Sequence, residues 1–201
     1  MHAGKPELQI MIRKAKPADV RKVVPLLILA MGDLAAKFSN SKDAATTNSL
    51  FEHFFLEKDN QYSYTNFLVY EENSQVYAAL NAYDGGKLTE LRQNFLEYLS
   101  AHNGLKDFNP EPETQAGEFY FDTLAVDPEM QGKGIGKQLI DAGIEWADEF
   151  GIKNVGLLVE VNNDKALKLY KNKGFEVAND TSFIGGTYHH MVFNIITSSC
   201  S

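Results

Sequence analysis

The sequence holds a single cysteine, Cys200, among 201 residues. One thiol excludes an intrachain disulfide framework and any multi-cysteine zinc site. Its polar setting, Thr197-Ser198-Ser199-Cys200-Ser201, reads as an inert tail. Nowhere do apolar residues run to the roughly 18 that a membrane-crossing helix requires; the run through Pro25 to Met31 falls far short. The stretch Met1-His2-Ala3-Gly4-Lys5-Pro6 has no apolar core behind its charge and so lacks a signal-peptide pattern. The expectation is a cytoplasmic protein without a membrane partner. Basic residues are also scarce: 19 Lys and Arg stand against 27 Asp and Glu, for a net charge of -8. Nucleic-acid binding needs a basic footprint, so no nucleic-acid partner is expected, and the charge fits a cationic partner or no strong preference.

What is present is ordinary globular composition, 44% hydrophobic and 23% charged. A chain of this length forms about one domain, here 1–201, and buries about 70% of its unfolded surface without staples. Leu8 to Arg13 reads as a strand. Asp19 follows Pro17 and is placed to cap a helix running toward Phe38, with a kink or break expected at Pro25. A second helix covers Asp43 to Lys58. Thr65–Glu71 and Gln75–Tyr83 read as a hairpin around Glu72-Asn73-Ser74. Lys87 to His102 carries Leu88, Leu91, Phe95 and Leu99 at helical spacing, and Asn103 to Gly117 is a long loop. The second half is regular: strand Glu118–Val126, helix Gly134–Phe150 closed by Gly151, strand Asn154–Val161, helix Asn163–Lys173, then strands Phe175–Ala178 and Tyr188–Ile196. On the first of these helices Ile135, Leu139, Ala142, Trp146 and Phe150 share a face. Strands alternating with helices predict an α/β fold with a parallel or mixed sheet.

The strongest chemical signal is the run Leu124-Ala125-Val126-Asp127-Pro128-Glu129-Met130-Gln131-Gly132-Lys133-Gly134-Ile135-Gly136-Lys137. A strand enters a glycine-rich turn that opens a helix. Free N–H groups and the helix dipole at such a place bind phosphate, and glycine lets a ligand approach the backbone. A Walker loop fails here, because Gln131 stands where its first Gly belongs and Gln138 where its Ser/Thr belongs. A dinucleotide fingerprint fails too, since Lys137 or Leu139 occupies the last Gly position. The pattern that fits is Gln-x-x-Gly-x-Gly: Gln131, Gly134, Gly136. A tight turn without a ligand would carry the same glycines. The second signal is Asn163, Ala166 and Tyr170 on one helical face. Two polar side chains flanking a small one leave a groove for an extended ligand; an N-cap Asn and a core-edge Tyr are the structural alternative.

Together, in this order and spacing, the two signals resemble the GCN5-related N-acetyltransferase (GNAT) family. The resemblance is specific over Glu118 to Phe175 and looser over the N-terminal strand, helices and hairpin. It implies the GNAT, or acyl-CoA N-acyltransferase, fold: a mixed, twisted sheet flanked by helices. It also implies acetyl-CoA as cosubstrate, no metal, and direct attack by a primary amine in a ternary complex. Carried over by residue, pantetheine would pair with backbone around Leu124, Ala125 and Val126, where the Leu124 amide can hold the thioester carbonyl. The pyrophosphate would rest on Gln131, Gly132, Lys133, Gly134, Ile135, Gly136 and Lys137. Asn163 and Ala166 would line the pantetheine side, and Tyr170 would protonate the departing thiolate.

The base is less determined by the sequence. Strand periodicity places Glu118, Tyr120, Asp122 and Leu124 on one face. Asp122 is the first candidate for base or water anchor and Glu118 the second. At its usual pKa of about 3.9 an Asp is a weak base for an ammonium. Asp122 could instead only bind a cationic acceptor, or only satisfy neighbouring backbone. Against the family plan, 87–117 is a helical insertion before the central strand, able to bring Tyr83, Asp84 or Glu111 to an acceptor pocket or simply to dock as structure. The acidic residues favour a cationic small-molecule amine. A non-catalytic acyl-CoA sensor and a protein N-terminal or lysine acetyltransferase are the alternatives, and a homodimer is compatible with the family. Lys165, Lys168 and Lys171 read as a solvated stripe or as contacts to the CoA 3′-phosphate. His189 and His190, adjacent in a strand, point to opposite faces and do not share a metal.

Overall fold

The computed structural model describes residues 9–196; Cys200, the start of the first expected strand at Leu8 and the N-terminal stretch lie outside them. Seven strands form one sheet in the order β1-β2-β3-β4-β5-β7-β6: β1 (Ile10–Lys14), β2 (Phe67–Glu72), β3 (Gln75–Asp84), β4 (Glu118–Val126), β5 (Asn154–Glu160), β6 (Glu176–Phe183) and β7 (Gly186–Asn194). The sheet is mixed, with β4–β5 its parallel pair and every other pairing antiparallel.

Helices cover both faces. On one side α1 (Val20–Met31), α2 (Asp33–Ser39) and α3 (Ala44–Leu56) bury Val23, Leu27, Phe51 and Phe55 against Val69, Ala79 and Ala125. On the other, α5 (Ile135–Glu149) lays Ile135, Leu139 and Trp146 on Leu80, Phe119, Phe121 and Val155. The predicted α5 stripe holds except at its end, where Phe150 is 60% exposed and only stacks its ring on Phe119. The short α6 (Asp164–Lys171) follows β5.

The first helical stretch breaks at Gly32, not at Pro25. Pro25 sits early in α1 on its exposed face. The one backbone bond it forfeits would have gone to the carbonyl of Arg21, which is exposed and open to water. Gly32 instead takes φ 54° and ψ -129°, a conformation costly for a residue with a Cβ, and the chain turns there into α2. Asp19 does not cap α1 through its side chain; its carboxylate accepts from the Lys16 amide and from Arg13.

The 87–117 insertion docks as α4 (Leu88–His102) followed by a long loop. Phe95 and Leu99 are buried beside Phe38, Phe51 and Phe54, so the helix is part of the core. The loop returns along the sheet and delivers Glu113 to the site.

Candidate active site

β4 and β5 pair from Glu118↔Asn154 to Phe121↔Leu157. Pairing then stops, although β4 continues to Val126 and β5 to Glu160, so a wedge opens between them. At the same level the β3–β4 register shifts: Asn81 faces Thr123 and Ala82 faces Phe121. Asp122 is the extra residue of this bulge, a device common beside active sites because it re-aims a side chain. The bulge also corrects the expected periodicity. Tyr120 packs with Tyr83 on one face, Leu124 and Val126 pack toward α5, and Ala125 joins the α1 side. Leu124 therefore does not share a face with Glu118, Tyr120 and Asp122.

A cleft of about 560 Å³ occupies the wedge. Its floor is Tyr120 and Asp122 to Leu124 with Leu158 to Glu160; one wall is Asn163, Ala166 and Tyr170 of the α6 face; the opposite walls are α1–α2 and the β6–β7 turn. Asn163 caps α6, its Oδ1 accepting from the Ala166 amide at 3.0 Å, and still faces the cleft. The structural and the ligand-binding readings of Asn163 thus coexist. The Tyr170 ring is fixed edge-on to Phe175, 5.5 Å between centroids, and its hydroxyl takes no partner among the described residues. Burial pushes its phenol well above the usual range, which keeps it protonated.

Next to the wedge, Gly132 and Gly134 hold φ of 79° and 82°. That left-handed turn is what the glycines provide, because nothing lies where their Cβ atoms would go. The amides from Gly132 to Gly136 have no acceptor among the described residues, as an anion cradle at a helix N-terminus requires. Gln131 braces the turn: its Nε2 donates to the Val126 carbonyl at 3.1 Å, and Lys165 donates to its Oε1 at 3.1 Å. Lys165 thus points at the glycine turn and not simply into solvent.

Asp122 lines the cleft, and Tyr83 donates to its Oδ2 at 3.0 Å. Burial, reinforced by the nearby charge of Glu113, pushes its carboxyl up to about 7; the Tyr83 bond and Arg92 pull the other way. An aspartate at its solution pKa is a poor base, but one near 7 is poised for proton abstraction. Burial and the same carboxylates hold the phenols of Tyr62, Tyr83 and Tyr120 far above their usual range.

Glu118 lies elsewhere. It is buried over Gly156, outside the cleft lining, and bonds His190 Nε2 at 3.1 Å and Gln115 Nε2 at 3.0 Å. Burial alone would raise its pKa, but those bonds outweigh it and hold the carboxyl below the usual range. His189 pairs with Asp180 instead. Among the described residues no three His, Cys, Asp or Glu side chains converge as metal ligands, and no helix is long and apolar enough to cross a membrane. Of the three residues expected beside the acceptor pocket, Tyr83 reaches the site from the end of β3, Asp84 caps the turn at Gly86, and Glu111 accepts from the Ile184 amide. Glu113, which no sequence motif marks, enters the cleft wall.

A family model described as the acetyltransferase (GNAT) family matches residues 43–175. Among curated proteins, a mycothiol acetyltransferase of Propionibacterium freudenreichii subsp. shermanii is 43% identical over 61 residues, 30% of this chain and 19% of that protein. An uncharacterized N-acetyltransferase of Methanocaldococcus jannaschii is 47% identical over 53 residues, 26% and 24% of the two chains. The chain therefore matches only about a fifth of the length of these curated relatives. A crystal structure described as an acetyltransferase superposes with a TM-score of 0.78 at 28% identity, over 92% of this chain and all of the other. An N-acetyltransferase from Staphylococcus aureus Mu50 shares the fold, with a TM-score of 0.79 at 23% identity over 91% and 100%.

Proposed function

The chain belongs to the acetyltransferase (GNAT) family, and from that premise we propose that it moves an acetyl group from acetyl-CoA to the primary amine of a cationic small molecule. One observation carries the reading: the bulge at Asp122 and the hydroxyl of Tyr170 open into the same cleft, where β4 and β5 part. A base and an acid face one space wide enough for a thioester and an amine.

In this reading the unpartnered amides from Gly132 to Gly136, flanked by Lys133 and Lys137, hold the pyrophosphate of acetyl-CoA. The β4 backbone from Leu124 to Val126 and the Asn163–Ala166 face hold its pantetheine arm. The acceptor enters as an ammonium from the acidic side of the cleft. Asp122 takes its proton, directly or through one water, and the freed nitrogen attacks the thioester carbonyl. The C–N bond forms as the C–S bond breaks. Tyr170 gives its proton to the leaving sulfur, the second proton of the nitrogen returns through water to the Tyr170 phenolate, Asp122 releases its own to solvent, and the amide and free CoA depart. No step calls on a metal. Glu118, tied to His190 away from the cleft, supports the strand and does not take the base role.

Incubation with acetyl-CoA and a panel of primary amines, followed by product mass, tests the proposal. The expected result is a singly N-acetylated amine together with CoA thiol. Binding of acetyl-CoA without product from any amine defeats the proposal and favours a non-catalytic acyl-CoA sensor.

A further inference from the structure

The insertion brings a second carboxylate into the cleft. Glu113, from the loop after α4, lines the same space as Asp122, Tyr62 and Tyr120, yet its side chain is only 4% exposed. One of its oxygens pairs with Arg92 of α4. Among the described residues no other side chain donates to it. Arg92 is itself buried and each of its nitrogens is engaged: besides the Nη2 bond to Glu113, its Nε donates to Gln61 and its Nη1 to the Glu111 carbonyl, both at 3.3 Å.

Stability does not account for this pair. Two buried ions pay a desolvation cost that their attraction barely returns, and a well-packed apolar pair of similar volume generally serves as well or better. A pair retained at the edge of a cleft, with one carboxylate oxygen left free of side-chain donors, fits recognition instead. The charges agree. With Asp122 ionised, Arg92, Glu113 and Asp122 together carry one net negative charge, which one ammonium neutralises. Aromatic rings of Tyr62 and Tyr120 stand beside the carboxylates and complete a receptor for a cation.

We propose that Glu113, held in place by Arg92, is a specificity-determining residue that receives the ammonium group of the acceptor, so that the insertion selects charged primary amines over uncharged nucleophiles. The inference rests on the acetyl-transfer reading above. Asp122 removes the proton, while Glu113, whose carboxyl burial pushes up and the Arg92 charge holds down, holds the nitrogen in the wedge.

The test compares a cationic primary amine with hydroxylamine, which is uncharged at neutral pH, by thiol release. Glu113→Gln leaves Arg92 unpaired and risks misfolding, so the double variant Arg92→Met with Glu113→Gln, which removes both charges, is measured beside it. The ratio of kcat/KM for the amine to that for hydroxylamine is expected to fall about 10- to 100-fold, chiefly through KM of the amine. An unchanged ratio, or an equal loss on both acceptors, overturns the assignment of Glu113 and leaves acetyl transfer standing. Absence of thiol release from every amine in the unmodified protein overturns both.

Discussion

The phenol of Tyr83 donates a 3.0 Å hydrogen bond to Oδ2 of Asp122 across the β3–β4 bulge. This bond stabilises the ionised carboxylate and opposes the burial and the Glu113 charge that raise its pKa. Tyr83→Phe removes the opposing contribution. The rising limb of kcat/KM against pH is then expected to move upward, by on the order of one unit for the loss of a hydrogen bond to a charged group. A limb that stays in place or moves down would show that Tyr83 does not tune Asp122.

The same carboxyl links stability to pH. Its folded pKa, about 7, lies above the unfolded value of about 3.9. Between those values the unfolded chain has lost the proton that the folded chain keeps, so Asp122 lends its full stabilisation below about pH 4 and loses it as pH rises through about 7. Asp122→Asn cannot ionise. Relative to the parent it should gain about 2–4 kcal/mol at pH 8 compared with pH 4. Denaturant unfolding at the two pH values measures this, and a pH-independent difference would place the carboxyl near its solution pKa.

Tyr170 is half-buried, has no hydrogen-bond partner among the described residues and stays protonated. A general acid contributes about 10²–10⁴-fold. Tyr170→Phe should lower kcat by about 10²-fold while acetyl-CoA binding, followed by calorimetry, is retained. Undiminished turnover would remove Tyr170 from the acid role.

Gly143 separates two rules that disagree in sign. Helix propensity alone favours Ala over Gly by about 1 kcal/mol. A Cβ at Gly143 would stand 2.5 Å from Phe121 Cζ and 2.6 Å from Leu80 Cδ2, both buried, and overpacking a core costs about 1–3 kcal/mol. Gly143→Ala is therefore expected to destabilise the protein by up to about 2 kcal/mol in thermal or denaturant unfolding. Stabilisation would mean that α5 does not rest on the sheet this closely.

What was legible in the sequence was local. Periodicity located the helices and strands, and the Asn163, Ala166 and Tyr170 face predicted one wall of the cleft, with the glycine turn beside it. What was not legible depends on partners distant in the chain. Strict alternation put Leu124 with Asp122, because a bulge is set by register against β3 and nothing in the β4 residues announces it. Glu118 stood second to Asp122 as a base candidate, and its bond to His190, 72 residues away, is not visible in the strand. Glu113 sits in a loop with no motif, and only its pairing with the buried Arg92 and its place in the cleft single it out. Gly32 rather than Pro25 breaks the first helix because a proline on an exposed turn forfeits a bond that water replaces. Asp122 was expected to be a weak base, and its pKa comes from tertiary burial that composition does not encode.

The central claim, amine acetylation with Asp122 as base, is tested most directly by amine-dependent CoA thiol release measured from pH 5 to 9 in the unmodified protein and in Asp122→Asn. The account predicts kcat/KM rising with pH and levelling above about 7 in the former, and a low rate without that limb in the latter. The same limb at full amplitude in Asp122→Asn would contradict it.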